Sequence, residues 1–426
     1  MTKQAKLVCI AAILLLAASL VCWILFGGDA PIGNESSSES GRQSQTTSDT
    51  SEVSESPAVK TDEVRAMWIS MLDYAQYTTG KDEAGFREAF ASIVDDCAAL
   101  GLNTLFVHVR PYGDAMYPSA YFPWSSYASG TQGVDPGYDP LAVMLELAHA
   151  KGMQVHAWLN PLRICRDEAM QQTLAEDNIG LLWWNEQNGR VCIADGGLYY
   201  NPASDAVHTL VLNGIAEILE HYDVDGIHFD DYFYPTTDEE FDDLDYAAYQ
   251  RDGGTMSLAD WRRDNVNRLV RAVHTLCAEK GRVFGISPAG NIENNFQSLY
   301  ADVERWCSQD GYVDYICPQI YFGFDHATRP FVETMEDWAA FCREDVALYI
   351  GLAAYKVGLS DTWAGDGAEE WVENTDLLAR QIEALRANEK ASGFALFRYG
   401  SMLDPTQDVA ENMQQELTAL RALLGK

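Results

Sequence analysis

The stretch Val224-Asp225-Gly226-Ile227-His228-Phe229-Asp230-Asp231-Tyr232-Phe233-Tyr234-Pro235 sets two adjacent carboxyl groups among four aromatic residues and a proline. Carboxylates this close repel when both are charged, so at least one keeps a proton near neutral pH. A proton donor beside a group that can carry charge is what acid–base work on a glycosidic oxygen requires. The plainer roles for Asp231 are a helix cap or a ligand of a structural cation.

A strict two-carboxylate mechanism wants a second acid roughly 5 to 9.5 Å from the first. Asp73 and Glu293 are the candidates. Candidate sugar-binding residues fall where short apolar stretches end: His108 and Arg110, His156, Trp158 and Asn160, His228, Tyr232, Gln319, Tyr321 and Tyr355. Side chains alternate along a strand, so His108 with Arg110, His156 with Trp158 and Asn160, and His228 with Asp230 are each expected on one face. Trp158, Tyr232 and Tyr321 offer flat faces for pyranose rings. Three histidines on successive strands also describe a zinc site with an open position, which keeps a metal-dependent polysaccharide deacetylase as the alternative enzyme. We read them instead as hydrogen-bonding groups at a sugar site, with no metal and no cofactor. The acidic run Asp238, Glu239, Glu240, Asp242, Asp243, Asp245 lacks the glycine and terminal glutamate of an EF-hand loop and reads as a solvated face.

Short strands alternating with amphipathic helices must hold these residues. Residues 64–71, 104–109, 154–159, 226–229, 283–287, 315–321, 348–353 and 394–398 read as eight strands. Helical patterns occupy 84–100, 141–151, 206–222, 258–280 and 376–389, and Gly101, Gly152 and Gly281 stand at C-cap positions before the second, third and fifth strands. This alternation predicts an α/β fold, a (β/α)8 TIM barrel enlarged by long loops, whose chemistry gathers at the C-terminal strand ends. The candidate residues sit at those ends.

Ahead of the barrel, Lys3 and Lys6 precede an apolar run over residues 7–26, long enough at ~1.5 Å per residue to span a bilayer. The charge bias puts the bulk of the chain outside the cytoplasm. We read the run as a retained anchor, although Gly28 and Ala30 also suit signal cleavage. Residues 1–27 are thus a signal or transmembrane anchor, 28–62 a Ser/Thr/Glu-rich disordered linker, and 63–426 the barrel. Acidic residues number 64 against 29 Lys plus Arg, a formal charge of -35 that repels nucleic acid and favours a neutral or cationic substrate. The seven cysteines beyond the apolar run show neither a zinc spacing nor an obvious disulfide framework and read mostly as buried thiols.

Arg65-Ala66-Met67-Trp68-Ile69, Val155-His156-Ala157-Trp158-Leu159-Asn160-Pro161, the Asp225 to Pro235 run, Gly285-Ile286-Ser287-Pro288, Pro318-Gln319-Ile320-Tyr321 and Gly351-Leu352-Ala353-Ala354-Tyr355 resemble, in order, the bacterial glycosyl-hydrolase-like family 10 domain. The resemblance covers residues 63 to about 403. It implies an exported, cell-envelope TIM barrel, and one branch of that family hydrolyses peptidoglycan glycan strands lacking stem peptides. Asp230 and Asp231 are also similar to the paired acids of certain barrel N-acetylhexosaminidases, where one orients the substrate acetamide for attack on its own anomeric carbon and the other protonates the leaving oxygen. That likeness implies Asp230 as orienter and Asp231 as acid, or the reverse. A barrel that binds surface glycans without cutting them is the non-enzymatic alternative.

Overall fold

The computed structural model describes residues 63–426; the apolar run and the linker lie outside the described residues. Eight parallel strands close a barrel: β1 (Val64–Ile69), β2 (Thr104–Arg110), β3 (Gln154–Leu159), β4 (Gly226–Phe229), β5 (Val283–Ile286), β6 (Tyr315–Ile316), β7 (Ala347–Leu352) and β8 (Ala391–Leu396), each paired with its neighbours in sequence and β8 with β1. Among the described residues no helix is long and apolar enough to cross a membrane.

Alternation sorts the strand residues into two cores. Ala66, Trp68, Phe106, Trp158, Tyr315, Cys317 and Ala395 fill the barrel, while Leu105, Val107, Val155, Ala157 and Ile227 face the surrounding helices. Tyr315 fits because β5 carries Gly285, where a Cβ would lie 2.2 Å from the tyrosine ring. Helix Glu83–Leu100 buries Phe86, Phe90, Ile93, Val94, Cys97 and Leu100 at 3- to 4-residue spacing, starts on Asp82 accepting from the Gly85 amide, and stops at Gly101 with φ +87°.

Three departures from the expected pattern shape the site. β1 stops at Ile69, because Ser70 and Asp73 form a capping box that starts helix Met71–Tyr77. β6 pairs regularly over only two residues, after which Gln319 continues the barrel through single bridges to Ala289 and Gly351. Between β3 and β4 the chain inserts a three-stranded antiparallel sheet, Arg163–Cys165, Gly197–Tyr200 and Val191–Ala194 in spatial order, from strands too short to show a period.

Near the C-terminus, the fully buried Glu416 of helix Ala410–Leu424 accepts from the Ala379 amide at the start of helix Leu377–Ala387. Burial pushes its carboxyl up to about 7. The folded chain therefore keeps a proton that the unfolded chain releases above about 4.5, so this group's contribution to stability falls as pH rises from there to about 7. Glu416→Gln, which mimics the protonated acid, is expected to match the parent near pH 5 and to melt several degrees higher at pH 8. A melting-temperature difference that does not grow with pH rules this out.

Candidate active site

β4 carries His228 inward and ends at Phe229. The chain then turns: the Phe233 amide donates to the Asp231 carbonyl at 3.0 Å, and the Tyr232 amide to Asp230 Oδ1 at 3.3 Å. The turn frees the two carboxyls from strand alternation, and both face the mouth, with Asp230 3% and Asp231 9% exposed. Trp158 on β3 donates its indole N–H to Asp230 Oδ2 at 3.1 Å, and Gln319 hydrogen-bonds Asp231 while donating to the Ser287 carbonyl at 2.8 Å. Burial first, then the charge of Asp231, pushes Asp230 up to about 8; burial pushes Asp231 up to about 6. The pair thus holds about one proton between them near neutral pH.

Beneath the pair lies a chain of neutral hydrogen bonds. The Trp68 indole N–H donates to His228 Nε2 at 3.2 Å, which leaves the ring proton on Nδ1 to donate to the Tyr315 hydroxyl at 2.9 Å. Tyr315 can then donate to His156 Nδ1 at 2.8 Å. Burial holds both rings uncharged, His156 pushed down to about 4 and His228 well below its usual range, where the neighbouring histidines add to the effect. His156 and His228 thus belong to the polar floor of the barrel, and Trp158, not a histidine, contacts Asp230. Ser287 Oγ, 3.0 Å from His228 Nε2, joins this floor to β5.

His108 lies flat on Trp158, centroids 3.6 Å apart at 5°, covering one face of the indole. Its two ring nitrogens and Asn160 Oδ1 are buried and have no hydrogen-bond partner among the described residues. Tyr321 and Tyr355 meet edge to face at 5.7 Å, and Tyr232, half-buried, lies under the guanidinium of Arg163.

Three expected placements are corrected. Arg110 does not share a face with His108: the β2–β3 register skips Val109, and this bulge turns Arg110 outward. There it packs 3.6 Å from the Phe122 ring and against Gly214, fully buried behind the barrel wall. Asp73 is fully buried with both oxygens occupied, Oδ2 by the Ser70 amide and hydroxyl, Oδ1 by the Gly400 amide and Arg398. Glu293 is exposed on helix Ile292–Gln297, where it accepts from Gln297 and lines a pocket of about 590 Å³ that includes neither aspartate. Neither acid faces the pair as a nucleophile. Among the described residues no group of three His, Cys, Asp or Glu side chains is arranged to hold a metal ion.

Two residues at the site escaped the sequence reading. Tyr315 is visible only once β3, β4 and β6 are in register. Arg163 is 5% exposed on the inserted sheet, its Cζ 4.6 Å from the Tyr232 ring centroid and 5.4 Å from that of Tyr112. The available signal was a basic residue two positions after Pro161, followed by Arg166, in a strongly acidic chain.

The closed parallel barrel carries its buried carboxylate pair at the C-terminal end of the fourth strand, the end where barrels of this kind place their sites. The chain belongs to the glycosyl hydrolase-like 10 family, whose model matches residues 63–366. It is 37% identical over 352 residues to glycosyl hydrolase YngK of Bacillus subtilis, covering 76% of this chain and 67% of that one. It is 34% identical over 360 residues to glycosyl hydrolase DigH of Escherichia coli, covering 77% and 79% respectively. In structure it is similar to the PgaB (BpsB) glycoside hydrolase domain of Bordetella bronchiseptica, with a TM-score of 0.54 at 15% identity over 85% of this chain and 99% of that one. That likeness speaks to the barrel alone.

Proposed function

We propose that this protein hydrolyses glycosidic bonds of an N-acetylated glycan outside the cytoplasm, peptidoglycan strands above all. The observation that carries the reading is the Asp230–Asp231 pair, two adjacent carboxyls buried at the barrel mouth, where burial pushes both up. Burial and the charge of Asp231 push Asp230 the higher, so the resting pair keeps its proton mostly there; passing that proton to Asp231, the more open of the two, leaves Asp230, with both oxygens held by fixed donors, as the orienter of the acetamide and makes Asp231 the acid. Its proton passes to the leaving oxygen as the acetamide oxygen bonds to the anomeric carbon and the C–O bond breaks. Water then opens the cyclic intermediate and returns a proton to Asp231. His108 and Asn160, buried and without protein partners, are the polar groups that sugar substituents would satisfy. Incubation with a panel of cell-wall and plant-type polysaccharides, with and without chelator and read by mass spectrometry, tests the reading: chelator-insensitive cleavage of N-acetylated strands supports it, and chelator-sensitive loss of acetyl groups favours a deacetylase.

The rate has a definite pH dependence. Below about 6 both carboxyls are protonated and none stabilises positive charge; above about 8 both are ionised and no acid remains. kcat/KM is therefore expected to be bell-shaped with its maximum between those values, and a rate still climbing at pH 9 contradicts a shared proton. We also propose that residues 7–26 hold the enzyme at the membrane. The full chain should stay with membranes through salt and alkaline washes; soluble protein starting near Pro31 would overturn that.

A further inference from the structure

Arg163 is a buried cation with no carboxylate of its own. Among the described residues no acidic side chain forms an ion pair with it, and its Nε has no hydrogen-bond partner. By contrast Arg262 and Arg386, also buried, are paired with Asp242 and Glu63, while Arg110, likewise without an ion pair among the described residues, lies on the outer side of the barrel wall against Phe122. The sheet that carries Arg163 is inserted between β3 and β4, and the arginine's guanidinium lies 4.6 Å from the Tyr232 ring centroid and 5.4 Å from that of Tyr112. Tyr232 directly follows the aspartates, and its amide donates to Asp230 Oδ1. A guanidinium shut away from water needs nearby negative charge to offset its desolvation.

We infer that Arg163 is a positioning residue that acts through the Asp230–Asp231 pair: its fixed charge keeps one carboxylate ionised, so that mutual repulsion leaves the other as the acid. The inference rests on the pair being the catalytic centre. The groups facing Arg163 leave it no other counter-charge. The Tyr112 and Tyr232 rings lie beside it, Tyr199 lies opposite it in the sheet, and burial pushes all three hydroxyls up, so they stay neutral. His108, on the barrel side, is pushed well down by burial and then by Arg163 itself, and is neutral too. Farther along the insert, Arg166 and Asp167 pair with each other. Asp114 lies beyond Tyr112 and accepts from Gln132. Arginine suits the task because its guanidinium stays charged when buried and stacks flat on aromatic rings, which a lysine ammonium does not.

The test is a carbon-13 titration of aspartate-labelled full-length protein in detergent, with the two pair resonances identified by their loss in Asp230→Asn and Asp231→Asn. Arg163→Met, confirmed as folded by its melting curve, is expected to raise the lower titration by about one pH unit or more, a tenfold change in proton affinity. Arg163→Lys should restore much of the parent value, and the acid limb of kcat/KM should move with the titration in each variant. A folded Arg163→Met with an unmoved titration overturns the inference. So does an unmoved titration accompanied by weaker binding of acidic glycans, which would assign the charge to substrate recognition. If the parent protein cuts no glycan, the functional reading fails, while the titration still decides the role of Arg163.

Discussion

Asp230→Asn and Asp231→Asn are each expected to lower turnover of N-acetylated glycan strands by about 10²- to 10⁴-fold, with glycan binding preserved. The amide keeps the shape of the carboxyl but removes its proton or its charge, so the loss falls mainly on the transition state. The variants should differ in one respect. An aryl glycoside with a good leaving group needs little protonation, so Asp231→Asn should recover most of its activity on such a substrate if Asp231 is the acid. Asp230→Asn should not recover, because a mispositioned acetamide cannot attack whatever the leaving group. Recovery in Asp230→Asn alone would exchange the two roles. Parent-like turnover in both variants would move the chemistry away from the end of β4.

The second large effect concerns the nucleophile. A thiazoline that mimics the cyclised acetamide intermediate is expected to bind at least 10²-fold more tightly than substrate, because active sites complement transition-state-like species. Glycans stripped of their acetyl groups should be almost inert. The surroundings of the two other acids support this expectation. Asp73 has both oxygens committed to groups just beyond β1 and β8, Ser70 on one side and Arg398 with the Gly400 amide on the other, and Glu293 is solvated on a flanking helix. A 2-deoxy-2-fluoro glycoside is expected to label neither residue. A covalent adduct mapped to Asp73 or Glu293, together with no thiazoline inhibition, would replace the acetamide by a protein nucleophile.

The strand–helix alternation that builds the barrel was legible in the sequence because each element is local, as is the adjacency of Asp230 and Asp231. Helix Glu83–Leu100 announces itself by its buried stripe and by Gly101, and Asp230-Asp231 by adjacency among aromatics. What escaped depends on register or on contacts between distant segments. Nothing in Thr104-Leu105-Phe106-Val107-His108-Val109-Arg110 marks Val109 as a bulge, yet that bulge moves Arg110 from the mouth to the outside of the wall. Asp73 looks like a strand-end acid until Ser70 claims it for a helix cap. His156 and His228 look like sugar ligands until Tyr315, about 87 residues from His228 along the chain, is found between them. Arg163 was missed because its strand is three residues long, too short for any periodicity to reveal.

The most direct measurement is mass spectrometry and proton NMR of the products formed when the purified full-length protein meets peptidoglycan strands freed of stem peptides. The account requires shorter saccharides that keep their acetyl groups, each cut adding one water, with the newly formed reducing end first appearing in the configuration of the bond that was cleaved. Strands of unchanged length that release acetate would contradict it, and so would an inverted anomer.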